Sequence, residues 1–202
     1  MVVTIKDVAQ QAKVSISTVS RVINDSKPVS DEMKQRVLKV IEETGYTPNP
    51  VARSLVMKKS FLIGVIVPDI SNFFMGEVLN GIEEIGKMYD YDILLCNSCG
   101  ELKQELHYFN LLKSKQVEGI IFMTWDMNEE HDKFFKANNI PVVVINRDTS
   151  YMNIPSVCID HKKASFEMTK YLIGLGHKRI GLIRNGSEHS TFGIDQYKGY
   201  KR

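Results

Sequence analysis

The 202-residue sequence predicts an α + α/β protein. A three-helix head with a helix-turn-helix comes first, and an incomplete doubly wound parallel sheet follows. Three observations carry this expectation. Residues 1–45 hold three short segments with apolar side chains at helical spacing, the first two joined by only Lys13-Val14-Ser15. Residues 48–50, Pro-Asn-Pro, form an extended break, because proline restricts itself and its predecessor. From Phe61 onward, near-continuous apolar runs alternate with amphipathic stretches, the pattern of strands buried on both faces between helices.

In the first segment Thr4 can cap a helix whose Ile5, Val8, Ala9 and Ala12 fall at i, i+3, i+4 and i+7. In the second, Val19, Val22 and Ile23 point inward and leave Ile16, Ser17, Thr18, Ser20 and Arg21 outside. The third starts at Ser30 as cap, with Asp31 and Glu32 favourable to its dipole. It is expected to bury Met33, Val37, Val40 and Ile41 and to stop at Gly45. Two helices joined by so short a turn, with hydroxyl residues and one Arg outside, suit a reader of the DNA major groove. Arg21 is the candidate for bidentate contact to guanine, Ile16 for a thymine methyl, and Ser17 for donating or accepting at a base edge. Thr4, Ser15, Thr18, Ser20, Asn24, Tyr46 and Asn49 are the candidates for phosphate contacts that set register.

The stretch Val51-Ala52-Arg53-Ser54-Leu55-Val56-Met57 has the composition of a helix too short to persist alone in water, so it needs a partner. Strands are then expected over 61–67, 91–96, 118–123 and 142–145. Between them fall a helix aligning Val78, Ile82 and Ile85, and helices over 102–113 and 128–137. Repeated βα units imply a parallel, right-handed sheet. Ligands of such sheets bind beyond the carboxyl ends of the strands. The candidates there are Asp69, Phe74 and Met75, then Trp125, then Asn146, Arg147 and Asp148, with Asp160 at the crossover that follows. Phe74 and Trp125 either stack on a ligand ring or fill an interface; Arg147 either binds ligand or pairs with a surface acid.

Charge is uneven: residues 1–60 hold ten Lys/Arg against six Asp/Glu, and the rest sixteen against eighteen. A basic head on a slightly acidic body suits a polyanion at one end. No apolar run is long enough to span a membrane and the start is not a signal peptide, so a cytoplasmic protein is expected. Cys96 and Cys99 form C-x-x-C after a strand without a second ligand pair, so no metal is expected. The turn Val67-Pro68-Asp69-Ile70-Ser71 lacks a Gly-rich phosphate loop, and no His stands in a nucleophile or metal motif. Surface or capping roles are expected for all five histidines, and neither an enzyme nor a cofactor is expected.

Thr4-Ile5-Lys6-Asp7-Val8-Ala9, Val14-Ser15-Ile16-Ser17-Thr18-Val19-Ser20-Arg21-Val22 and Gly45-Tyr46-Thr47-Pro48-Asn49-Pro50-Val51-Ala52-Arg53-Ser54-Leu55 together resemble the lactose-repressor (LacI-type) family. The resemblance implies a head over 1–47, a hinge helix and linker over 48–60, and a periplasmic-binding-protein-like core. That core would have its first lobe over 61–160 and an incomplete second lobe over 161–202. It implies a homodimeric transcription regulator on a palindromic DNA operator, with Leu55 wedged into a central base step and Val51 and Ala52 at the hinge pair's close approach. It further implies control by a sugar-like effector in the cleft. Where the family commonly carries an effector-binding Arg, three residues ahead of Gly199, stands Gln196, which lacks the planar charged fork. Gln104-Glu105-Leu106-His107 and Lys115-Gln116-Val117-Glu118-Gly119-Ile120 resemble a branch whose co-regulator is a protein, the phosphocarrier HPr phosphorylated on serine. The second lobe is expected to hold one strand, 180–183, and one helix, too little for a core, which reads as a fragment or a truncated reading frame.

Overall fold

The computed structural model describes residues 3–49, 52, 54, 57–183 and 191–202. It divides into two compact units, Met1–Lys59 and Ser60–Arg202.

Unit 1 is the three-helix head: α1 (Ile5–Ala12), α2 (Ile16–Asn24) and α3 (Asp31–Thr44). Val8, Ala9, Ala12, Val19, Val22, Val37 and Val40 form its buried centre. At the start of α1, Asp7 Oδ2 accepts from the Thr4 backbone N–H at 2.8 Å and from its hydroxyl at 2.7 Å. These bonds, the hydroxyl's first, hold the Asp7 carboxyl below the usual carboxylate range. α3 ends at Gly45 in the left-handed region, φ 63°, where a side chain would be strained. Three details of the head differ from expectation. Met33 is 39 % exposed, while Val29 from the preceding loop packs against the core. Ser30 stands at the N-cap without a side-chain bond to the helix. Thr18 and Ser20, expected outside, are half-buried. Ala52, Ser54 and Met57 are helical, whereas Val51 and Leu55 lie outside the described residues.

Unit 2 is built on β1 (Leu62–Val67), α4 (Phe73–Met88), β2 (Asp92–Asn97), α5 (Leu102–Ser114), β3 (Gly119–Met123), α6 (Glu129–Ala137), β4 (Val142–Ile145) and β5 (Ser156–Val157). The sheet is parallel throughout, in the order β2-β1-β3-β4-β5. Alternate residues serve opposite faces. Ile66, Cys96, Ile120, Phe122, Val142 and Val144 meet Phe109, Leu112, Phe134 and Phe135 from α5 and α6. Val65, Val67 and Met123 meet Met75, Val78 and Ile82 of α4 on the other. Ile85, expected in that stripe, is 54 % exposed.

Three of the expected strands start one residue late, at Leu62, Asp92 and Gly119; the residues before them, Phe61, Tyr91 and Glu118, contact one another, and Phe61 holds a left-handed backbone, φ 56°. Among the histidines, His131 does cap α6, its Nδ1 accepting from the Asn128 N–H at 3.2 Å, but it is fully buried rather than on the surface. That acceptor role leaves the proton on Nε2, which donates to Glu105 Oε2 at 2.9 Å inside a shell of Phe109, Phe122 and Phe135.

The tail differs more. A helix not anticipated from spacing, α7 (His161–Gly174), precedes α8 (Thr191–Tyr200) and packs directly on it. The strand expected over 180–183 is absent: those residues have no neighbouring strand among the described residues, and Ile183 is 98 % exposed. Instead the Tyr200 hydroxyl donates to the Ile180 carbonyl at 2.7 Å. Among the described residues no helix is long and apolar enough to cross a membrane.

Candidate nucleic-acid interface and ligand cleft

In unit 1 the outward side of α2 is an open polar strip with one aliphatic end. Ile16 is 45 % exposed, and Ser17 and Arg21 are exposed beside it. Burial of Val19 and Val22 on the opposite side fixes which face this is. Ser15 caps the helix by accepting from the Thr18 N–H at 3.1 Å. Its hydroxyl also bonds the Ser17 and Thr18 hydroxyls, at 2.7 and 2.8 Å. Spacing alone did not show this three-hydroxyl chain, although S-x-S-T at a helix start was a signal for it. One turn on, the Asn24 amide donates to the Ser20 carbonyl at 2.9 Å and to its hydroxyl at 3.3 Å. Thr4 and Asn49 are exposed, and Tyr46 is half-buried against the head core with its N–H bonded to the Ile41 carbonyl. The strip can therefore offer a guanidinium, a hydroxyl and a branched alkyl group to base edges, with further hydroxyls and amides available to phosphates.

In unit 2 the strand ends place the cleft candidates in different settings. Met75 is 2 % exposed and packs with Val65, Val67 and Met123, so it is core and does not face a ligand. Asp69 is turned on its own loop, accepting from the Ser71 N–H and hydroxyl, which lower its pKa, the hydroxyl first. Asp148 does likewise with Ser150, the backbone N–H being the larger influence. Asp160 caps α7 through the Lys163 N–H at 2.8 Å. Phe74 and Trp125 are 42 % and 46 % exposed. Trp125 lies so close over Gly100 that a Cβ there would stand 2.5 Å from its ring, at a φ of +70°.

Several polar groups converge at the end of β4. Asn146 holds a left-handed backbone, φ 66°, and its side-chain oxygen meets His161 Nε2 at 3.2 Å. Burial lowers the pKa of the Arg147 guanidinium, opposed by the negative charges of Asp126 and Asp195. Burial likewise pushes His161 down; Asp195 opposes this, the cation of Arg147 adds to it and Asp160 opposes it. Gln196, half-buried, is the neighbour of Asp195 on α8. The structure thus gathers Asn146 and Arg147 with three groups missed from sequence, Asp126, His161 and Asp195. His161 directly follows the helix cap and Asp195 adjoins Gln196; both lay one residue from positions already singled out. Ser98, fully buried after β2 and donating to the Val67 carbonyl, was also missed, although the strand-end rule applies to it. Among the described residues there is no cluster of three or more metal-ligating side chains.

Comparison with known proteins agrees with this two-part arrangement. Residues 4–49 match the family described as bacterial regulatory proteins, lacI family. Residues 60–201 match periplasmic binding proteins and the sugar binding domain of the LacI family. Over all 202 residues the chain is 46 % identical to catabolite control protein A of Priestia megaterium, and 40 % identical to the HTH-type transcriptional regulator RegA of Clostridium saccharobutylicum. It spans 61 % of the length of each. Its fold superposes on the lac repressor dimer bound to operator and the anti-inducer ONPF with a TM-score of 0.86 at 25 % identity, covering 100 % of this chain and 61 % of that one. The chain belongs to the LacI family of bacterial regulatory proteins.

Proposed function

We propose that the chain acts as a sequence-specific DNA-binding transcription regulator, a repressor working in the cytoplasm as a homodimer on a palindromic operator. The observation that carries this reading is the exposed face of α2, with Ile16, Ser17 and Arg21 displayed by a helix whose other side is locked into the head core. In this reading Arg21 takes a guanine edge, Ile16 a thymine methyl and Ser17 a neighbouring polar edge. Thr4, Ser15, Thr18, Ser20, Asn24, Tyr46 and Asn49 hold phosphates. Leu55 enters the minor groove at a central step, with Val51 and Ala52 at the close approach of the two hinge segments. Unstacking that step costs a few kcal/mol, offset by the contacts that the kink brings within reach.

The body supplies control. A small ligand such as a sugar would sit beyond the strand ends, stacked on Phe74 or Trp125 and bonded by Asn146, Arg147, Asp148, Asp69, Asp160 and Gln196. The neutral amide of Gln196, in the place where the family commonly has Arg, favours a second form of control by a protein co-regulator, the phosphocarrier HPr phosphorylated on serine. Either would act by binding one state of the body better than another.

The test is fluorescence anisotropy of a labelled palindromic duplex with a central CG step, beside a duplex with that step replaced, each at two salt concentrations. Expected is tight binding, steep in protein concentration and weakened by the central change. Weak binding to both duplexes, with equal salt sensitivity, would sink the dimeric reading.

A further inference from the structure

Phe61, Tyr91 and Glu118 stand immediately before β1, β2 and β3, and they close on one another. The Glu118 carboxylate accepts from the Phe61 N–H at 2.8 Å and from the Tyr91 hydroxyl at 2.8 Å. The Phe61 and Tyr91 rings meet with centroids 5.9 Å apart. The Phe61 carbonyl accepts from the Asp92 N–H at 2.8 Å, and the Glu118 N–H donates to the Leu62 carbonyl at 2.8 Å. Phe61 is therefore held by its N–H, its carbonyl and its ring. It needs that hold, because its φ of +56° is a conformation bulky aromatic residues rarely adopt. Lys58, three residues earlier, is also left-handed, φ 53°. The Glu118 bond to the phenol, followed by desolvation, raises the Tyr91 pKa, so the proton stays on Tyr91 and the donor role is kept through the physiological range.

We propose that Glu118 is the positioning residue of a three-strand clamp that fixes the backbone where the linker enters β1, and that the clamp couples the body to the head's hold on DNA. The inference rests on the DNA-binding reading. Its basis is placement. β1, β2 and β3 carry the clamp at their amino ends and Asp69, Ser98 and Trp125 just beyond their carboxyl ends. In-register parallel pairing ties the three strands, Leu62 to Asp92 and Ile63 to Gly119, so that a shift of one strand against another at the ligand end must be met at the clamp. A carboxylate serving two donors from two other strands senses such a shift directly.

The test uses the full 202-residue chain as wild type, Glu118→Ala, Glu118→Gln and Tyr91→Phe. Trypsin cutting at Lys58 and Lys59 reports release of the linker backbone, and anisotropy is measured on a duplex selected by the wild-type chain and on an unrelated duplex. Expected for Glu118→Ala is cutting about tenfold faster and affinity for the selected duplex about tenfold lower, with affinity for the unrelated duplex unchanged. Glu118→Gln, whose amide oxygen still accepts from Phe61, should restore both. Should Glu118→Ala fail to fold, Tyr91→Phe removes one bond, keeps the ring and is expected to move both readouts about threefold. Wild-type cutting in the folded variants would overturn the proposal, and so would faster cutting with unchanged specific affinity. Failure of the wild-type chain to select any duplex would overturn the DNA reading itself, a result distinct from any change at Lys58 and Lys59.

Discussion

Arg21 is set apart from the other cations of the head by its place on the outward side of α2 beside Ser17. Its planar fork can satisfy O6 and N7 of one guanine together, which a lysine ammonium cannot do with the same geometry. Arg21→Lys keeps the charge, so the expected loss of roughly 1–3 kcal/mol should fall on the selected duplex, with the salt dependence unchanged. Equal loss on every duplex would show that Arg21 meets phosphate instead. The outward places of Ile16, Ser17 and Arg21 were legible because burying Val19 and Val22 turns them to the opposite side, whereas Thr18 and Ser20, expected outside, are half-buried. Met75 was not legible. It follows a strand end as a ligand residue would, but α4 turns it inward between Val67 and Met123. Truncation to Ala there should cost the body about 2–5 kcal/mol, read by denaturant unfolding, and leave head unfolding unaltered.

At the scale of elements, periodicity located the βα units but started three strands one residue early, at Phe61, Tyr91 and Glu118, because a three-way contact between strands leaves no periodic mark. It also missed α7, which carries no fully buried residue and therefore shows only a weak stripe. α7 and α8 cross closely at Gly199, where a Cβ would overlap the Lys162 carbonyl and press on the Phe166 N–H. Both obstacles are backbone and cannot swing aside. Gly199→Ala should therefore lower the thermal midpoint of the body by overpacking, at roughly 1–3 kcal/mol, and an unchanged midpoint would show that the helices do not cross this closely in solution. The same junction should respond to acid. Burial depresses the His161 pKa below its ordinary 6.5, so the folded body prefers the neutral ring. Its contribution is full above that ordinary value, and body stability falls as pH drops from there toward the folded-state pKa, because the unfolded chain binds the proton more readily. Thermal midpoints at about pH 7.5 and about pH 5.5 should differ, and His161→Asn should narrow the difference. An identical difference in the variant would assign the acid response to another group.

At the scale of the whole chain, the division into Met1–Lys59 and Ser60–Arg202 falls between the Pro-Asn-Pro break and the change of period at Phe61. Physical chemistry adds that each unit has its own hydrophobic centre: Val8, Val19 and Val37 in one, Ile66, Phe109 and Phe122 in the other, with no residue shared among the described residues. Cooperative unfolding follows a core, so heat should melt the chain in two steps rather than one. Val19 and Ile66 are each fully buried and provide matched probes. Val19→Ala should lower one calorimetric transition and Ile66→Ala the other. Each substitution leaves a cavity within its own core, costing on the order of 2–5 kcal/mol for Ile66→Ala and less for the smaller Val19 side chain. DNA should raise only the transition that Val19→Ala lowers, because ligand binding stabilises the unit that binds it. A single transition shifted by both substitutions would mean that head and body unfold together. The selective effect of DNA would then be lost, and control would pass through shared stability rather than through the linker.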